Sequence, residues 1–284
     1  MTAPQLLSAY AGHWTGAGTG VTVIVPPEGT VGSGEVRGGA PATREFELLG
    51  PARTVSAVSA VVLSGGSAFG LAASDGVMDG LRKRGLGFAT PLGPVPIVVG
   101  MSIFDASVAG TPPTYAAGKR ALAAAFRGDP FEAGAVGAGA GATTGKWRQR
   151  LDPGGLGLAR GSAGDASVVA IVVVNAWGDV IGSDGRPVFG GDVAAPSPES
   201  PFGVNTTIGV LLTDARLDKN DCFLLAQSGH TGYARAIHPA HSRYDGDAVV
   251  ALATGEVAGA NLDLLRAVAA ETMTSAIRNA VIHA

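Results

Sequence analysis

Residues 202–215 read FGVNTTIGVLLTDA, and this stretch decides the fold. From Thr206 onward the run is β-branched and aliphatic with no regular polar alternation, the composition of a strand buried between two layers. It begins without a transition. Asn205 is polar, and residues 183–201, SDGRPVFGGDVAAPSPESP, are rich in Pro, Gly, Ser and charge. A buried strand with so abrupt a polar start needs a reason. Asn-Thr-Thr fits an N-glycosylation acceptor, but the N-terminal MTAPQLLSAYAGHWTG shows neither the basic region nor the long apolar core of a secretory leader. The plainer alternative is a turn and a strand, with Thr206 and Thr207 supplying only β-propensity.

Working outward, the same buried-strand composition recurs at 21–25 (VTVIV), 60–63 (AVVL), 96–99 (PIVV), 167–175 (SVVAIVVVN) and 248–254 (AVVALAT). Helical spacing predicts helices over roughly 68–84, 115–126, 219–236 and 261–282. The last carries Leu262, Leu265, Ala269, Met273 and Ile277 at intervals of three and four, and the first carries Phe69, Ala73, Val77 and Leu81 at intervals of four. No fixed-period repeat is visible. Strands apolar on both faces, mixed with amphipathic helices, predict sheets sandwiched together and covered by helices.

The 284 residues, 46% hydrophobic and 15% charged, can bury a large core. A formal charge of −3 provides no basic field for nucleic acid or an anionic membrane. The longest aliphatic run, VVAIVVV at 168–174, is too short to span a bilayer. Cys222 stands alone, so no internal disulfide and no Cys-based zinc site is expected, and the chain reads as cytoplasmic. With 44 Gly and 17 Pro, tight turns and close backbone contacts are expected rather than disorder.

Glycine-rich stretches that imitate nucleotide sites fail on inspection. In AGATTGKW (140–147), Ala140 replaces the first Gly of a phosphate-binding loop, and Trp147 stands where a magnesium-binding Ser or Thr is needed. GAGAGA (137–142) ends in Ala142 where G-x-G-x-x-G needs Gly. SGGSAFGLAASDG (64–76) follows a strand and opens a helix. Its amides either meet an anion or oxyanion or serve close helix–strand packing. His230, His238 and His241 have no standard metal spacing and read as caps and packing around a helix end. No G-x-S-x-G is present.

Polar residues in costly places carry more information. Asn175 ends the most apolar strand, where an unpartnered amide costs about 1 kcal/mol or more. Lys146 follows a run of small residues, a position equally natural for a solvated loop tip. Asp245 and Asp247 precede a buried strand; Asp-Gly-Asp favours a turn, and the two-residue period would also send both carboxylates to one side.

Together, VRGGAPATREFELLGP, VVLSGGSAFGLAASDGVMDGL, GAGAGATTGKW, VVVNAWGDV, NTTIGVLLTDA and ARAIHPAHSRYDGDAVVALATG closely resemble the L-aminopeptidase/D-esterase family. That family includes β-aminopeptidases and nylon-oligomer endo-hydrolases, and the resemblance runs in order along nearly the whole chain. It implies an α/β fold of four αββα layers, similar to N-terminal-nucleophile hydrolases and shared with ornithine acetyltransferases. It implies one domain, 1–284, that cuts itself at Asn205–Thr206 into chains 1–205 and 206–284, freeing Thr206 as N-terminal nucleophile. The loop at 183–204 would then move aside to open the pocket. By the same resemblance Asn175 donates to an oxyanion, Lys146 tunes Thr206, and Asp245 and Asp247 orient these charges or share proton transfer. Gly66, Ser67 and Phe104 contact substrate; Phe104 stands where some relatives place a tyrosine hydroxyl. The expected substrate is a small peptide or amide, without metal or cofactor, and relatives assemble as tetramers of the processed heterodimer. Endo-acting amide-oligomer hydrolysis, acyl transfer of the ornithine-acetyltransferase kind and a catalytically idle binding protein are the alternatives.

Overall fold

The computed structural model describes residues 6–192 and 205–282. Numbered along the chain, the strands are β1 (Tyr10–Gly16), β2 (Thr19–Val25), β3 (Val31–Val36), β4 (Thr43–Arg44), β5 (Ala60–Ser64), β6 (Val98–Ser102), β7 (Thr143–Thr144), β8 (Asp152–Pro153), β9 (Gly155–Ala163), β10 (Ala166–Asn175), β11 (Asp179–Val180), β12 (Thr206–Ala215), β13 (Ile237–His238) and β14 (Ala248–Val257). The helices are α1 (Phe46–Leu49), α2 (Ser67–Gly70), α3 (Ala72–Arg82), α4 (Tyr115–Arg127), α5 (Lys219–Ala236) and α6 (Leu262–Ile282).

Two five-stranded sheets form, in the orders β1-β2-β5-β6-β4 and β3-β14-β12-β10-β9. The two-residue period of the central strands sorts their side chains into three cores. Val169, Ile171 and Val173 of β10, with Ile208, Val210 and Leu212 of β12, meet Val61 and Leu63 of β5 and Met101 of β6 between the sheets. Val168, Ala170, Val172 and Val174 face the other way, onto Cys222 and Leu225 of α5 and Met273 and Ile277 of α6. On the far side Val21 and Val23 of β2 pack with Val77 of α3 and Leu122 of α4. The layers are therefore helix, sheet, sheet, helix, the four-layer αββα sandwich expected. Burying a Val, Leu or Ile side chain contributes roughly 1.5–3 kcal/mol, so strands apolar on both faces hold the two sheets and their helices as one body.

Departures from the sequence-based expectation are local. The helix expected at 68–84 is two, separated at Leu71, and Phe69 lies on the short first turn, exposed rather than in the core. The strand expected at 96–99 runs from Val98 to Ser102 and is parallel to β5; Pro96 cannot donate to a ladder. Strand β9, GLGLARGSA, carries no apolar run. Its glycines serve an approach instead: a Cβ on Gly157 would lie 1.9 Å from the Ala276 carbonyl oxygen of α6. Helix α6 thus lies directly on the strand's backbone. Among the described residues no helix is long and apolar enough to cross a membrane.

Candidate active site

Three interior strands deliver the site to one end of the second sheet. β10 ends at Asn175, antiparallel to β12, which starts at Thr206, and the two residues face each other in register. β14 runs parallel to β12 on its other side and starts one residue after Asp247. Residues widely separated in sequence therefore meet because three adjacent strands begin or end at one level.

Thr206 is buried, and its φ is 129°. That lies outside the regions open to a β-branched residue and marks a strained junction. Its Oγ1 accepts from the Gly246 N–H at 3.1 Å. Gly246 has to be glycine for this approach, since a Cβ there would come within 2.8 Å of both Thr206 Oγ1 and the Ala40 carbonyl oxygen. On the preceding residue, the carbonyl oxygen of Asn205 accepts from the Phe104 N–H at 3.3 Å. The Asn205 side chain is buried, and among the described residues neither its Nδ2 nor its Oδ1 has a hydrogen-bond partner.

Asn175 and Lys146 form one unit. Lys146 sits in a short 3-10 turn, and its Nζ donates to the Thr143 carbonyl oxygen at 2.9 Å, to the Asn175 carbonyl oxygen at 3.1 Å and to Asn175 Oδ1 at 2.8 Å. The turn is fixed by Gly145 N–H to Gly178 O and Trp147 N–H to Trp177 O, both 2.9 Å. Asn175 Nδ2 donates to the Phe104 carbonyl oxygen at 3.0 Å. The amide expected to meet an oxyanion thus lies one peptide from the Asn205 carbonyl, which the Phe104 N–H meets instead. Phe104 contributes here through its backbone, a role that residue identity does not reveal.

The two aspartates occupy the turn before β14. Asp245 accepts from Trp177 N–H at 3.3 Å and Ser242 N–H at 3.1 Å. Asp247 Oδ1 accepts from Thr207 N–H at 2.8 Å, and its Oδ2 from His241 N–H at 3.1 Å and His241 Nδ1 at 2.8 Å. Arg37, Gly38 and Ala40 brace the turn by donating to the carbonyls of Asp247 and Asp245. Gly66 and Ser67 lie behind the 103–105 segment: Gly66 N–H bonds Asp105 Oδ1 at 3.1 Å and Ser67 N–H bonds the Ile103 carbonyl at 2.8 Å. These two amides are taken by the protein itself, and they hold the turn against the 103–105 segment. Among the described residues, no three His, Cys, Asp or Glu side chains come together as a metal ion would need.

Burial shapes the electrostatics. It pulls the Lys146 ammonium down to about 7, against the attraction of Asp245. Burial, then repulsion from Asp247, pushes the Asp245 carboxyl up to about 7, against hydrogen bonds from Ser242 and Trp177. Each of these two groups can therefore take up or give up a proton near neutrality at little cost. His241, which reads from sequence as packing, belongs to this cluster. Its only signal is its place in HSRYDGD, just ahead of the aspartates.

Of the loop before the junction, residues 193–204 lie outside the described residues, and the opening motion expected of them with it. Its first part is tied down. Arg148 bonds Asp179 at 2.6 Å and donates to the Asp192 carbonyl, and Arg150 donates to the Gly190 carbonyl at 3.0 Å. A separate cavity of about 310 Å³, lined by Pro26, Pro27, Leu81, Leu86 and Phe88 among others, includes none of the site residues.

The profile of peptidase family S58 matches residues 7–284. An uncharacterised aminopeptidase of Mycobacterium bovis is 43% identical over 277 residues, covering 89% of this chain and 78% of the relative. The 6-aminohexanoate-oligomer endohydrolase of Paenarthrobacter ureafaciens is 30% identical over 307 residues, covering 96% and 83%. Among solved structures, a Burkholderia β-aminopeptidase superposes with a TM-score of 0.74 at 24% identity, over 96% of this chain and 83% of that one. The L-aminopeptidase D-Ala-esterase/amidase of Ochrobactrum anthropi, a prototype for the serine aminopeptidases and a variant of the Ntn hydrolase fold, gives 0.72 at 20% identity, over 97% and 84%. These two establish the fold.

Proposed function

This chain belongs to peptidase family S58, and we propose that it is a self-processing amide-bond hydrolase of the aminopeptidase type with Thr206 as its nucleophile. The observation that carries the reading is the φ of 129° at Thr206, on a β-branched residue joined to an asparagine whose buried side-chain amide has no partner among the described residues. Backbone strain and a polar group short of hydrogen bonds both load the Asn205–Thr206 bond, and cutting it would release both.

In the first reaction Thr206 Oγ attacks the Asn205 carbonyl carbon. The hydroxyl proton leaves Oγ, the C–N bond breaks, and the nitrogen gains a proton, leaving Asn205 esterified to Oγ. Water then opens the ester to the Asn205 carboxylate and a free Thr206 hydroxyl. The Gly246 N–H already on Oγ favours its anionic form, and the Phe104 N–H on the Asn205 oxygen favours the negative charge that develops there.

In the second reaction the freed α-amine, whose ordinary pKa is about 7.7–8.0, serves as base on the same residue. Oγ attacks a substrate amide, the amine leaving group takes the proton, and water hydrolyses the acyl-enzyme. Lys146 and Asp245, both brought near neutrality, set the charge around this amine. On this reading the second amide hydrogen of Asn175, beside the one that meets the Phe104 carbonyl, goes to the substrate oxyanion. The 30% identity to an amide-oligomer endohydrolase supports a second reading, cleavage inside oligomers rather than at their ends; product lengths from a short amide oligomer separate the two.

The test is a denaturing mass measurement with N-terminal sequencing. The expected small chain begins at Thr206. Thr206→Ala blocks cutting and hydrolysis, and Thr206→Ser keeps part of each. A fully active, uncut chain, or cutting at this bond in Thr206→Ala, overturns the reading.

A further inference from the structure

We propose that His241 is a positioning residue of this site, acting on the Thr206 nucleophile through Asp247; the inference rests on the reading of Thr206 given above. The geometry is a clamp. The backbone N–H and the Nδ1 of His241 both reach a single oxygen, Asp247 Oδ2, at 3.1 and 2.8 Å. The other oxygen of that carboxylate receives the Thr207 N–H at 2.8 Å. Thr207 follows Thr206 directly, and Gly246, which holds Thr206 Oγ1, precedes Asp247 directly. Any rotation of the Asp247 carboxylate therefore disturbs the hold on Thr206 from both sides.

The imidazole is itself fixed. It stacks on Tyr233 with ring centroids 5.8 Å apart and meets the edge of His230 at 4.9 Å. Tyr233 donates its hydroxyl to the carbonyl of Ala248, the residue after Asp247, at 3.2 Å. His230 Nε2 lies 3.0 Å from the Glu35 carbonyl oxygen; a carbonyl can only accept, so this nitrogen carries a proton. His230 Nδ1 is buried and has no hydrogen-bond partner among the described residues, and burial pulls the imidazole down to about 4. His230 therefore stands as a neutral, immobile wall against His241.

The backbone supplies the second argument. His241 has a φ of 57°, a left-handed conformation that non-glycine residues seldom adopt. That conformation brings its N–H and its ring nitrogen onto the same oxygen. A histidine serving only as packing needs neither the conformation nor the double donation.

Three variants separate positioning from packing. His241→Gly suits the left-handed backbone but removes the side-chain donor. His241→Asn suits the same backbone and restores a donor near the Nδ1 position. His241→Asp fits the backbone as well but sets an acceptor against Asp247. Rates of conversion to two chains, kcat and KM on aminoacyl-4-nitroanilides, and Tm are measured for each beside Thr206→Ala. Small displacements of reacting groups cost up to roughly 10²-fold. The expected result is that His241→Gly lowers kcat about 10-fold to 10²-fold with KM and Tm little changed, and that His241→Asn recovers most of it. Should the glycine variant not fold, an active Asn variant beside an inactive Asp variant supports the inference, and equal activities overturn it. Wild-type turnover in His241→Gly beside a dead Thr206→Ala overturns this inference alone, as do equal losses in the Gly and Asn variants that follow Tm. Activity in Thr206→Ala overturns the nucleophile and the clamp together.

Discussion

Two aspartate sites lie within the same sandwich, joined by the segment 103–105, and they are built on opposite terms. Asp105 is buried, and neutral donors meet both of its oxygens: Thr19 Oγ1 at 2.7 Å, Gly66 N–H at 3.1 Å, Ser107 N–H at 3.0 Å, and the Ser107 hydroxyl. Its backbone is ordinary, with φ −109°, and it caps the turn that follows. One residue away, Phe104 touches the other site. There, among the described residues, neither end of the Asn205 side-chain amide nor the buried Thr207 hydroxyl has a hydrogen-bond partner, and Thr206 is strained. Burial has also moved Lys146 and Asp245 far from their ordinary ionisation. The difference is one of company. A lone buried carboxylate ringed by neutral donors is a fastener, whereas charges buried beside one another at a strained junction hold free energy that a reaction can release.

The sharpest way to break this contrast is to show that the second cluster is not a unit. Lys146→Ala and Asp247→Asn are each expected to lower kcat/KM by roughly 10³-fold, and the double variant to be scarcely worse than either, because groups acting together lose function non-additively. Small losses that add would make them independent charges. Next in size, Asn175→Ala is expected to lower kcat roughly 10²-fold while the fold persists; early melting with normal turnover in the soluble fraction would class Asn175 with Asp105. Conversely Asp105→Ala strands several buried donors and is expected to cost about 3 kcal/mol or more in denaturant unfolding, with turnover per folded molecule held within a few-fold.

The smallest effect concerns pH. The Asp245 carboxyl is held near 7 in the folded chain and ordinarily titrates at 3.8. Below the ordinary value both states are protonated. Between about 4 and 7 the unfolded chain gives up this proton while the folded chain keeps it, so folding loses stability as pH rises through this window. Asn cannot ionise. The stability difference between wild type and Asp245→Asn is therefore expected to shift toward the variant as pH rises from 4 to 7. A pH-independent difference would mean that Asp245 ionises as freely as an exposed side chain.

The strands and helices were legible in the sequence wherever side chains declare themselves. The span 219–236 expected from helical spacing matches α5, which Asp218 and Asp221 open with a capping box. Strand β9 was not legible, because glycine next to an adjoining helix has no period to read. Phe69 was misplaced for a related reason: its spacing continues the α3 stripe, and only the break at Leu71 turns it outward. Of the site, Asn175, Thr206, Asp245 and Asp247 stand out in the sequence as polar residues at the ends of apolar strands, Lys146 stands out only through the family resemblance, and the structure brings all five to one end of the second sheet.

By itself the sequence determined which strands are buried on both faces, the helix-covered sandwich of sheets that follows, and the abrupt junction at Asn205–Thr206, since all three reside in local composition and periodicity. Only the tertiary structure decided what surrounds that junction. The Phe104 amide, the Gly246 amide and the His241 clamp come from segments about 35 to 100 residues away, and two of the three act through backbone N–H groups that every residue but proline carries. The strain at Thr206, the unpartnered Asn205 amide and the near-neutral Lys146 and Asp245 are likewise collective. Each follows from how completely the neighbouring strands exclude water and from which donors they leave within reach.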